Sequence, residues 1–139
     1  LAFLGKPLPL RFTALDGRRV DVKSWQGKVV GIVFFATWSE PSRLALVELR
    51  RAIEAEGARA ELVAISLDSD RASLENFLRA QGIACPVAWD GKGWDGPLMQ
   101  ALGINSVPTA WLLDTKGVLR SLDALEDPAA QIRRLLGGN

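Results

Sequence analysis

Val29-Val30-Gly31-Ile32-Val33-Phe34-Phe35-Ala36-Thr37-Trp38-Ser39-Glu40-Pro41-Ser42 is the stretch whose reading decides the fold. From Val29 to Phe35 every residue except Gly31 is β-branched or aromatic. Such a run is too apolar for a half-exposed strand, and too short and too β-branched for a helix, so it predicts a fully buried central strand. Beyond Ser42 the apolar residues Leu46, Leu49 and Ile53 fall at helical spacing, with Arg43, Arg50 and Arg51 between them and Gly57 as the stop. A strand therefore delivers a short loop onto a helix N-terminus. In parallel sheets that is the edge at which chemistry is usually done.

The flanking segments extend the pattern. Upstream, Leu10–Leu15 and Arg19–Val22 flank the turn signal Asp16-Gly17 and predict two short strands at an edge. Downstream, Glu61–Leu67 reads as a second buried strand. Asp68-Ser69-Asp70 offers a cap for a helix through Leu74, Phe77 and Leu78 that Gly82 stops. Strand, helix, strand, helix implies a parallel pair. Ile83–Trp89, which contains Pro86, makes at most a short extended piece, and Pro97–Leu102 a short helix closed by Gly103. Ala110–Leu113 and Val118–Leu122, joined by Asp114-Thr115-Lys116-Gly117, form a hairpin, and Asp127-Pro128 starts a last helix. The expected class is α/β, with a mixed sheet that is parallel in its core and antiparallel at its C-terminal hairpin.

Composition narrows the function. With 139 residues, 48% of them hydrophobic, the chain fits one domain over 1–139, of which 1–9 is a Pro- and Gly-punctuated lead-in. A formal charge of +1 without a basic stripe argues against nucleic acid. There is no apolar run of the roughly 18 residues that span a bilayer, so an anchor would have to lie outside these residues. The start at Leu1 rather than Met suggests a piece of a longer precursor. With no histidine and a single cysteine, Cys85, there is no Ser-His-Asp or Cys-His nucleophile, no zinc or copper site and no internal disulfide. No metal and no other cofactor is expected.

The segment Phe35-Ala36-Thr37-Trp38-Ser39-Glu40-Pro41-Ser42-Arg43 resembles the F-A-T-W-C-x-P-C-R active-site segment of thioredoxin-like proteins, and Val107-Pro108-Thr109 resembles their cis-proline segment. Gly5-Lys6-Pro7, Gly27-Lys28-Val29-Val30 and Leu113-Asp114-Thr115-Lys116-Gly117 are similar to the extracytoplasmic TlpA/ResA-like branch. The resemblance implies a thioredoxin-like fold with helices on both faces of the sheet. It also implies thiol:disulfide oxidoreductase activity on protein or peptide partners, outside the cytoplasm. Ser39 then marks the nucleophile position and Ser42 the resolving one, with Trp38, Glu40, Pro41, Val107 and cis Pro108 contacting substrate.

The two serines change the chemistry. An alcohol is a far weaker acid than a thiol, the helix dipole contributes only about 0.3–2 kcal/mol, and serine forms no disulfide. The simplest reading makes Ser39 an N-cap, with Glu40 adding charge to the first turn and Pro41 tolerated there. The chain is expected to be inactive in dithiol chemistry, through engineered replacement of cysteines or through natural loss. Ala45 and Val47 stand where the branch usually has the glutamate and proline of Cys-Arg-x-Glu-x-Pro. A non-catalytic peptide- or protein-binding module is the alternative, and a one-cysteine redox or peroxidase protein using Cys85 a further one. Cys85 itself reads as a small buried hydrophobe. Trp38, Trp89, Trp94 and Trp111 read as core packing, with a groove beside Pro108 as the other option.

Overall fold

The computed structural model describes residues 2–137. Its centre is β3 (Val29–Phe35), all seven residues of which are buried. In the five-stranded sheet the order is β5-β4-β3-β6-β7, where β4 is Ala60–Ser66, β5 Val87–Ala88, β6 Thr109–Leu113 and β7 Leu119–Ser121. β4 lies parallel to β3 and β5 parallel to β4, whereas β6 is antiparallel to β3 and β7 to β6. This is the expected mixed sheet of the thioredoxin-like fold. The first two strands, β1 (Arg11–Thr13) and β2 (Arg19–Asp21), differ from expectation in forming a separate two-stranded sheet.

Both faces of β3 are covered, which is why its sequence does not alternate between apolar and polar. Val30, Ile32 and Phe34 point to one side with Leu8, Leu10, Val20 and Met99 of α3 (Pro97–Leu102). Val29, Val33 and Phe35 point to the other. There they meet Leu46 and Leu49 of α1 (Glu40–Glu54), Leu74 of α2 (Arg71–Ala80) and Ile132 of α4 (Pro128–Leu135). Gly31 is the exception in the run for a steric reason. A Cβ there would come within 3.2 Å of Ile53 Cδ1 and 3.4 Å of Leu49 Cδ2, so glycine lets α1 lie close on the strand.

The helix caps follow the sequence closely. Ser39 caps α1, Asp70 caps α2, and Asp127, at φ 59°, caps α4 through Ala130 N–H. Asp68 does not share the capping role expected of the Asp68–Asp70 segment. It is buried and turned the other way, toward Thr37. Core packing holds fully for Trp111, which meets Phe34 edge-to-face at 5.1 Å. It fails for Trp38 and Trp94, which are 67% and 40% exposed. Trp38, Trp89 and Trp111 line three separate pockets rather than one groove.

Candidate functional site

The candidate site lies at the C-terminal end of β3. The antiparallel register that pairs Phe34 with Thr109 carries Pro108 and Val107 past the end of the strand, alongside the Ala36–Ser39 loop. The Val107–Pro108 peptide bond is cis. Among the described residues, neither the N–H nor the C=O of half-buried Val107 has a hydrogen-bond partner. At the same end of β3, Trp38 just ahead of α1 and Glu40 and Pro41 in its first turn are exposed. Beside Trp38 a shallow groove of about 480 Å³ runs to the first turns of α2, with Asp68, Asp70 and Asn76 among its walls. The Ser73 hydroxyl and the Ala72 N–H hold the Asp70 carboxyl below its ordinary value.

Ser39 and Ser42 occupy two different environments. The Ser39 hydroxyl accepts from Ser42 N–H at 3.2 Å and so acts as the expected N-cap. Ser42 is fully buried, and its Oγ has no hydrogen-bond partner. A buried hydroxyl without a partner costs about 1–3 kcal/mol, so the pocket suits a methyl or a thiol better than an alcohol. Ser42→Ala is therefore expected to raise stability by about 1 kcal/mol, and Ser39→Ala to lower it by about 1 kcal/mol through loss of the cap. Urea unfolding of the two variants would show the opposite signs; a destabilised Ser42→Ala would mean that the hydroxyl is bonded after all.

Reading the sequence missed the group that holds the loop. Asp68 Oδ1 accepts from both the N–H (2.9 Å) and the hydroxyl (2.6 Å) of Thr37, while Oδ2 accepts from the Ser66 hydroxyl at 2.6 Å. The Arg43 guanidinium donates to Thr37 C=O at 2.6 Å. Parallel pairing of Phe35 with Ser66, continued by two residues, sets Thr37 against Asp68. The signal was the matching length of the two buried runs, legible only once their register is known.

Cys85 lies away from this surface, half-buried just ahead of β5 and packed against the cluster that includes Leu74 and Val87. Burial pushes its thiol up from the ordinary 9.0 to about 12. The folded chain thus keeps the proton where the unfolded chain loses it. Stability should be untouched by this group below pH 9.0 and fall between there and about pH 12, at up to about 1.4 kcal/mol per pH unit. Denaturation of wild type against Cys85→Ala across that range isolates the effect; parallel curves would show the thiol to be open to solvent.

The comparisons with known proteins agree with this geometry. Residues 4–122 match the AhpC/TSA family. The chain belongs to the AhpC/TSA family. Within it, the thiol-disulfide oxidoreductase ResA of Bacillus thuringiensis subsp. konkukian is 30% identical over 118 residues, covering 82% of this chain and 65% of that protein. The chain thus spans about two thirds of the length of the curated relatives it matches. A putative thiol:disulfide interchange protein DsbE from Chlorobium tepidum superposes with a TM-score of 0.79 at 25% identity, covering 96% of this chain and 98% of that one. A DsbF homologue from Corynebacterium diphtheriae, at 20% identity over 95% of this chain and 85% of that one, shares the fold with a TM-score of 0.74. This AhpC/TSA domain is related to ResA/DsbE-type thiol-disulfide oxidoreductases. With one cysteine it has no Cys-x-x-Cys dithiol, consistent with redox inactivity in that chemistry. Among the described residues no helix is long and apolar enough to cross a membrane.

Proposed function

We propose that this domain holds an extended segment of a partner protein against Trp38, Glu40, Pro41, Val107 and Pro108 without exchanging disulfides. The observation that carries the reading is the pair of free backbone groups on Val107, at the same end of β3 as the exposed indole of Trp38. An extended peptide can pair with such groups as an added strand, while the indole supplies a rigid apolar contact. The kinship with thiol-disulfide oxidoreductases supports a protein or peptide as partner and an extracytoplasmic setting, periplasmic or facing outside from a membrane anchor beyond residues 1–139.

Titration with S-carboxymethylated insulin B chain, in which exchange chemistry is blocked, tests this directly. Amide shifts are expected at Ser39, Val107 and Thr109 and at the Trp38 indole, and Trp38→Ala should weaken binding at least about tenfold, a hot-spot loss of about 1.4 kcal/mol or more. Absence of binding, or shifts confined to another surface, would end the reading.

A second reading is favoured by the unpartnered Ser42 hydroxyl. In it Ser39 and Ser42 stand at the nucleophile and resolving positions of an active oxidoreductase, and the protein in its native source carries cysteines there. Three titratable thiols in protein from that source would establish it, and a single thiol would remove it.

A further inference from the structure

We propose that Asp68 is the positioning residue of the Trp38–Pro108 surface, acting through Thr37 to present Trp38; the proposal rests on the reading of that surface as the binding site. Trp38 lies between two residues that are each fixed by side chains. Thr37 gives its N–H and its hydroxyl to Asp68 Oδ1, at 2.9 and 2.6 Å, and its C=O accepts from Arg43. Ser39 closes onto α1 as its cap. All three polar groups of Thr37 are thus held, while the side chain that follows is exposed.

Asp68 is in turn held from three sides. The Ser66 hydroxyl donates to its Oδ2, its own N–H donates to Ser66 Oγ at 3.0 Å, and its C=O accepts from Trp89 Nε1 at 2.6 Å. Among the described residues it has no ion-pair partner, although it is only 2% exposed. Burying a carboxyl in this way is an expensive means of stabilising a fold, since apolar packing would do as well or better. What it supplies instead is one acceptor oxygen serving two donors on the same loop residue. A loop held before binding loses less entropy when a partner arrives, so rigidity at Thr37 is converted into affinity at Trp38.

The test compares Asp68→Ala, which removes both oxygens, with Asp68→Asn, which keeps the acceptor facing Thr37. Thr37→Val, which removes one donor, is compared with Thr37→Ser, which keeps it. Two readouts are followed: the Trp38 indole and Ser39 amide resonances of the free protein, and affinity for S-carboxymethylated insulin B chain. Asp68→Ala and Thr37→Val should broaden or split both resonances and weaken binding at least fivefold. Asp68→Asn and Thr37→Ser should keep single sharp resonances and bind within about twofold of wild type. Should Asp68→Ala fail to fold, Thr37→Val decides. The proposal is overturned if Thr37→Val leaves the Trp38 and Ser39 resonances unchanged, or if Asp68→Asn disturbs them as much as Asp68→Ala. If the wild type binds no B chain, the binding reading falls, and the resonances of the free protein still decide whether Asp68 positions Trp38.

Discussion

Phe34→Ala is expected to destabilise the domain by about 3–5 kcal/mol and to lower Tm by roughly 10–20 °C. Phe34 is fully buried in the central strand and packs edge-to-face on Trp111 at 5.1 Å. Truncation removes its transfer free energy and leaves a cavity that a strand hydrogen-bonded on both sides cannot collapse to fill. Since domains of this size are stable by only about 5–15 kcal/mol, the loss is a large share of the total. Leu44→Ala is the matched control. Leu44 is just as apolar but 63% exposed on α1, so its truncation should stay within about 0.5 kcal/mol. Urea unfolding of both variants checks the contrast; comparable losses would mean that Leu44 is covered in solution.

The second large effect is chemical. A cysteine introduced as Ser39→Cys would sit at the N-cap of a helix of 15 residues, where free N–H groups and the dipole favour a thiolate. Cys85, pushed up to about 12, keeps its proton at pH 7. The larger thiolate fraction at position 39 is offset in part by the lower nucleophilicity of a more acidic thiol. The new cysteine should therefore alkylate at least about 100-fold faster than Cys85. With Ser42→Cys added, in a pocket that already leaves a hydroxyl unpartnered, the double variant should catalyse dithiothreitol-dependent reduction of insulin where the parent chain does not. Iodoacetamide kinetics read by mass spectrometry and an insulin turbidity assay supply the two measurements. A slow thiol at position 39 would show that the helix N-terminus no longer favours an anion.

Much of the fold was legible because local chemistry and global placement agree. An uninterrupted apolar run such as Val29–Phe35 has to be covered on both faces, and Ser39, Asp70, Gly103 and Asp127-Pro128 act as the helix boundaries that their types suggest. The lapses came where the burial of a single side chain depends on a distant segment. Tryptophan at position 38 and tryptophan at position 111 are alike in type, yet one is solvent-facing and the other is core. Only the direction of the loop after β3 separates them.

Sequence alone determined the strand-to-helix junction, the absence of dithiol chemistry that a single cysteine imposes, and the thioredoxin-like kinship carried by its motifs. Those properties reside in residue type and spacing, which a linear chain displays. Tertiary structure decided which of two similar serines is bonded and which is orphaned, and it turned Asp68 away from its neighbouring helix to grip Thr37, 31 residues away. Among the described residues it also left the backbone of Val107 unpaired. These features arise from strand register and from exclusion of water, neither of which exists until the sheet has closed.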